Sequence, residues 1–465
     1  MQGHLFNPAP RIGFAFDPKG DGKTAIRAGY GIFFEHANGN EGNTESLENS
    51  PPLATTVQQN FIPGYALIGS SVGQAQAQLP LNVVAIPTKA VWPYVQQWHL
   101  DVQRDLIRNT VLTVSYVGSK GTHLNRQTDL NQLFPLAAGL NPFKPGEPNT
   151  CATNAAGTAF LTPSNVVIGP GSPGFVNMEV SCGSDPAGNS FDPNTVRPLP
   201  GYADITNLQF AASSNYNALQ SSLRHQLGGL QLTVAYTYSH SIDDASDRGD
   251  ASFVDSYHPF LNRASSNFDQ RHIFNLSYVY DLPFFRKPGL TNKLLGGWQW
   301  SGITTFQTGT PYSVFFSSDN AGVANGIGSS SRADIIGNPY SGIQKSPLQA
   351  FGPLYANPSA FAAPQGLTFG DSGRNLLTNP HTTNFDMALF KHFGITEHTA
   401  FEFRAEAFNV FNHTQWWGVG GDVGSGTNNV GIANNTFSTD PTSGFLRVSA
   451  AHNPRILQLG LKFLF

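Results

Sequence analysis

Long apolar runs are missing from this 465-residue chain. No stretch approaches the 18 or more consecutive apolar residues that a membrane-spanning helix requires, which excludes a helical membrane protein. Charge is scarce too. Asp, Glu, Lys and Arg make up 12 % of the residues and the formal net charge is -4, so no nucleic-acid partner is expected. There are three Met and two Cys. Cys151 and Cys182 have the spacing of neither a zinc site nor a redox pair. They lie in one loop rich in Gly, Pro, Asn and Ser, where they form either a disulfide, as an oxidising compartment allows, or two unpaired thiols. A secretory signal is also lacking. The start, MQGHLFNPAPRIGF, has no basic n-region and no apolar h-region, so either the chain is cytoplasmic or Met1 is not the true start of the protein.

What is abundant is Gly (48), Pro (32) and Phe (35), at a mean hydropathy of -0.21. Disorder is excluded, since it goes with high net charge and few aromatics. A transmembrane β-barrel fits. Its strands need only about 9–11 residues each, apolar toward lipid and polar toward the lumen, so mean hydropathy stays modest.

Period-2 alternation, the mark of a strand with two unlike faces, recurs along the chain. At the C-terminus, Leu457, Leu459, Leu461, Phe463 and Phe465 share one face and Gln458, Gly460 and Lys462 the other. Between 399 and 411, Phe401, Phe403, Ala405 and Ala407 oppose Glu402, Arg404 and Glu406. Three charges on one face would be costly in a dry sandwich core and are ordinary in a wet lumen. Further strands are expected near 11–17, 24–35, 95–106, 110–118, 216–227, 230–240, 270–281, 297–308 and 383–393, eleven in all.

Short connections at 18–23, 107–109, 228–229 and 394–398, with a medium one at 283–296, alternate with long ones at 36–94, 119–215, 241–269, 309–382 and 412–454. That is the sidedness of an outer-membrane barrel, with periplasmic turns and extracellular loops. Ile205–Ala212 and Phe445–Ser449 break the alternation if counted as spanning strands, so both are read as β-extensions above the membrane. Bacterial barrels have an even strand number and no open edge. Eleven strands therefore predict the C-terminal part of a single barrel domain over 1–465, cut at an extracellular edge.

Five local patterns resemble one family in order along the chain. They are Pro10-Arg-Ile-Gly-Phe-Ala-Phe-Asp17 with Ile26-Arg-Ala-Gly-Tyr-Gly-Ile-Phe-Phe34; Tyr116-Val-Gly-Ser-Lys-Gly-Thr-His-Leu124; Ser214-Asn-Tyr-Asn-Ala-Leu-Gln220 with Tyr236-Thr-Tyr-Ser-His-Ser-Ile-Asp-Asp244; Arg271-His-Ile-Phe-Asn275 with Tyr280-Asp-Leu-Pro283; and Phe403-Arg-Ala-Glu-Ala-Phe-Asn-Val-Phe-Asn-His413. Together they resemble the barrel of Oar-like TonB-dependent receptors. The resemblance implies a barrel of twenty-two strands in the cell outer membrane, and a parent protein with a signal peptide, a TonB box and a plug that this chain lacks. It also implies partnership with outer-membrane lipid, with the TonB complex through the missing part, and with an imported solute of unread identity. Phe465 and the apolar residues before it look like the terminal signal read by the Bam assembly machinery. An adhesion or structural scaffold without active transport is the alternative.

Other motifs carry less. Gly22-Lys23-Thr24 has part of a phosphate-binding loop, but Asp17 stands where a Gly is needed and a strand follows instead of a helix. Asp243, Asp244, Asp247 and Asp250 offer oxygen ligands to Ca²⁺, without EF-hand spacing; solvated loop acids are the plainer reading. Ser239, His240 and Asp243 have the residue types of a hydrolase triad, yet adjacent strand residues point to opposite faces. No catalytic role and no cofactor is expected. Arg27, Arg224, Glu402, Arg404 and Glu406 are expected to face the lumen, where they either line a substrate path or, as the plainer role, pair with one another and with a plug. Trp416 and Trp417 fit an extracellular aromatic girdle.

Overall fold

Alternating residues with β-branched and aromatic side chains fit a pleated, half-buried surface, and each of the eleven segments forms a strand in a computed structural model of the chain. The structure describes residues 6–35, 80–89, 91–250, 254–285, 289–316, 318–324, 331–343, 352–396, 399–419, 427–430 and 445–465. The strands are β1 (Arg11–Phe16), β2 (Thr24–Phe34), β3 (Tyr94–Ile107), β4 (Thr110–Asp129), β5 (Tyr202–Leu227), β6 (Leu230–Asp243), β7 (His272–Asp281), β8 (Trp298–Gln307), β9 (Thr382–Gly394), β10 (Ala400–Phe408) and β11 (Ile456–Leu464). They follow one another in sequence order in one antiparallel ladder, so short connections gather at one end and long ones at the other. Among the described residues β1 and β11 each have one neighbour, and the sheet is not closed.

The register separates two faces. Leu100 lies opposite Tyr116, Tyr116 opposite Leu219 and Leu219 opposite Tyr238, a row of large apolar and aromatic residues across four strands. All four are exposed. On β11, Leu457, Leu459 and Leu461 are exposed in the same way, Leu459 by 75 %. In water each such side chain forgoes about 1.5–3 kcal/mol of burial, so this face calls for an apolar surround. Glycine allows large rings to lie flat on it: a Cβ at Gly118 would come within 2.3 Å of the Trp98 ring, and one at Gly302 within 2.6 Å of the Tyr278 hydroxyl.

One expectation for the long connections changes. Ile205–Ala212 is a β-extension, as expected: it is the first half of β5, continuous with 216–227 in a 26-residue strand, where it pairs with the end of β4, and the short strand Leu81–Ala85 runs parallel beside it. Trp416 does not face outward from a girdle. The strand Trp416–Val419 pairs with Val448–Ala451, and Trp416 packs against a buried cluster that includes Tyr312, Val314, Phe361, Leu377 and Leu446. Trp417 stacks on His452 with ring centroids 5.5 Å apart. A second cluster joins Phe143, Phe160, Ile168, Met178 and Leu367, beside the helix Phe175–Cys182. Cys151 is bonded to Cys182 across this unit, with Cα atoms 5.8 Å apart. The long connections thus have apolar cores of their own.

Candidate functional site

Opposite the apolar face lies a polar one. Arg224 is register partner to Thr233, Thr233 to Ser277, Ser277 to Ile303 and Ile303 to Asp386, a row crossing five strands. With Glu406 these residues line a concavity of about 990 Å³. Asp386 accepts from the Asn409 backbone N–H at 2.8 Å. Farther along, His392, Glu402 and Lys462 form one row, and Phe390, Arg404 and Gly460 the next. Arg404 Nε donates to Glu402 Oε1 at 2.5 Å, and its guanidinium lies 5.6 Å from the centre of the Phe390 ring. Arg27 stands opposite Asp101 and donates to Gln103 Oε1 at 2.7 Å.

All five residues expected on the lumen side therefore share the polar face. Arg404 and Glu402 pair directly, whereas Arg27 and Arg224 lie on separate strands and meet neither. Asp101, Asp386 and His392 on this face were missed. The strand of Asp386 and His392 carries apolar residues on both faces, with Ala388 and Phe390 between them, so the alternation gives little signal there, whereas Asp101 lies on a cleanly polar face between His99 and Gln103.

A second polar centre lies among the long connections. The Arg374 side chain is fully buried, with Nη1 2.7 Å from Asp243 Oδ1 and Nη2 2.7 Å from Asp250 Oδ2. Nη2 also donates to Ser246 Oγ at 2.7 Å and Asn267 Oδ1 at 3.1 Å. Buried charge persists only when paired and hydrogen-bonded in this way. Nearby Arg332 donates to Asn262 Oδ1 at 2.5 Å; burial, with the Arg374 cation beside it, pushes its pKa down to about 10. At the foot of β5, Arg197 bonds Asp129 (3.2 Å) and Asp204 (2.5 Å). Burial raises the Asp129 carboxyl, against the pull of the Asn131 and Ile205 N–H groups.

These contacts reassign the acidic loop. Asp243 and Asp250 are directed at Arg374, and Asp244 at Arg263 (2.8 Å) and Arg126 (4.0 Å). Asp247 accepts from the Gly249 N–H at 2.7 Å. The charge that would hold Ca²⁺ is largely neutralised by arginine, and among the described residues no three His, Cys, Asp or Glu gather as for a metal ion. Ser239 Oγ donates to the Gln270 carbonyl, while His240 contacts Asp269 and Arg271, so no triad assembles from Ser239, His240 and Asp243. In the turn before β2, Asp17 accepts from the N–H groups of Lys19 and Gly22, which holds its carboxyl below the usual range.

A two-faced antiparallel ladder with sided connections is the architecture of a membrane barrel wall. A family model described as an outer membrane beta barrel domain matches residues 1–458. The chain belongs to this family. Its place as an outer membrane beta barrel domain is the cell outer membrane, and in such a barrel the apolar face of the wall is the one turned to lipid. No curated protein matches the chain. Among solved structures it is similar to the outer membrane transporter YddB from Escherichia coli (10 % identity, TM-score 0.45), covering 98 % of this chain and 40 % of that one. The siderophore receptor PirA from Acinetobacter baumannii (9 %, TM-score 0.41) is covered to 41 % and matches 98 % of this chain. The FrpB iron transporter from Neisseria meningitidis (9 %, TM-score 0.40) is covered to 39 %, again over 98 %. The chain spans about two fifths of the length of these structures.

Proposed function

We propose that this chain forms part of the wall of an Oar-like, TonB-dependent transporter that imports an unidentified solute across the outer membrane. The observation that carries the reading is the ladder itself: one face apolar across eleven strands, the other lined by Arg27, Arg224, Glu402, Arg404 and Glu406, with every long connection at one end. In this reading the polar face borders the lumen and meets a plug supplied by the rest of the parent protein, where the TonB box also resides. The terminal strand, with Leu457, Leu459, Leu461, Phe463 and Phe465, serves as the assembly signal for the Bam machinery.

Uptake in cells with and without TonB tests it. Cells expressing the parent protein are given labelled glycan fragments, peptides and metal chelates, and cell-associated label is measured. Transport predicts that at least one probe accumulates only when both the parent protein and TonB are present. Surface display by a scaffold barrel is favoured instead if binding of a probe or a surface persists unchanged without TonB; the folded cores of the long connections are what such a scaffold would use.

A further inference from the structure

Between the concavity and the long connections, the polar face loses its charges. The register sets Thr113 beside Ser222, Ser222 beside Ala235, Ala235 beside Asn275, Asn275 beside Thr305 and Thr305 beside Asn384, one row from β4 to β9. The next row toward the long connections runs from Ser115 to Thr382 through Gln220, Thr237 and Gln307. Neither row holds an ionisable side chain on these six strands. The strip is about 24 Å wide, with its two rows about 7 Å apart. Charges stand at its margins. Arg224 and Asp386 belong to the row on the short-connection side, four strand spacings or about 19 Å from each other. Asp101, opposite Ser115, and Arg27, opposite Asp101, lie beyond β4.

The hydrogen-bonding groups of the strip are unspent. Thr305 Oγ1 donates to Asn275 Oδ1 at 3.0 Å, and among the described residues this is the one side-chain hydrogen bond the strip makes. Gln220 and Asn275 are exposed, and Thr237 and Gln307 half-buried. Hydroxyl and carboxamide groups both donate and accept. A solute matched to them does the same at many points and carries no charge, since an ion here would give up water and meet no counterion. Sugar hydroxyls have that character. Carboxylates and phosphates only accept, ammonium groups only donate, and a free peptide brings a charge at each end. Ala235 and Ile273 interrupt the strip with apolar surface, which suits the C–H faces of a sugar ring.

We infer that the solute passing this wall is a neutral oligosaccharide, and that the uncharged strip from β4 to β9 is the stretch of wall it moves along. The inference rests on the transport reading above and adds the class of solute.

Cells with and without TonB, and with and without the parent protein, are given short labelled oligomers of glucose, xylose and mannose, of galacturonate and of glucosamine, and a short alanine peptide. At least one neutral oligomer is expected to accumulate only with both proteins, about tenfold above the charged oligomers and the peptide. Thr237→Val removes one neutral hydrogen bond and should lower that uptake about threefold, whereas Gln307→Glu brings a charge into the strip and should lower it about tenfold. The heat-dependent gel shift shows that each variant is still an assembled barrel. TonB-dependent uptake of galacturonate, glucosamine or peptide at the level of the neutral oligomers overturns the inference and leaves transport standing. Neutral uptake undiminished in both assembled variants also overturns it. If no probe depends on TonB, the transport reading falls and the inference falls with it.

Discussion

Arg374 has none of its side chain exposed, and it holds Asp243, Asp250, Ser246 and Asn267 from a part of the chain more than 100 residues away. Removing one member of such a set leaves buried charge unpaired, at a cost of about 3–5 kcal/mol. Arg374→Ala is therefore expected to loosen the connections at 244–271 and 308–381, seen as new protease cuts there, while the heat-dependent gel shift of the wall persists. An unchanged digestion pattern would contradict this role. Asp17 gives a pH effect of known sign. Its folded pKa lies below its unfolded one, so the Asp17–Gly22 bond contributes above the ordinary carboxyl pKa and is lost as pH falls through the folded value. Hydrogen exchange at the Gly22 amide should speed up at low pH beyond the intrinsic trend, and Asp17→Asn should abolish that extra dependence.

Among the elements, the wall strands were legible because a strand facing lipid on one side and water on the other must alternate with period 2, and that constraint is local. Length was less so. β4 and β5 run past the lipid-facing rows to Asp129 and back from Tyr202, and this extension is paired strand to strand, with a parallel partner at Leu81–Ala85 that no alternation announces. Trp416 was misplaced for a related reason: its position after β10 suggested a girdle, and its burial is decided by residues more than 50 positions away, such as Phe361. Two outcomes belong at this scale. Gly118→Val should lower the unfolding temperature of the parent barrel, because the Trp98 ring occupies the space of a Cβ; overpacking of this sort costs about 1–3 kcal/mol. Deleting Phe465 should reduce the amount of assembled barrel more than Trp417→Ala does, and equal losses would count against the terminal-signal reading.

For the whole molecule, the disulfide and the three apolar clusters make the long connections a folded layer on one end of the wall. Closing a loop between Cys151 and Cys182 contributes about 2–4 kcal/mol, mostly by restricting the unfolded chain. Reduction, or Cys151→Ser, should make the stretch from Phe143 to Met178 sensitive to protease without altering the gel shift of the barrel; loss of that shift would mean that wall and loops fold as one unit. What the sequence determined by itself is the wall: strand positions, faces and the alternation of short and long connections follow from which residues can touch lipid. What only the tertiary structure decided is the fate of the polar residues, since the Asp243 loop, Arg332, Arg374 and the pair His240–Arg271 take their roles from partners far away in the chain. A charge is placed by whatever neutralises it, and no local pattern carries that information.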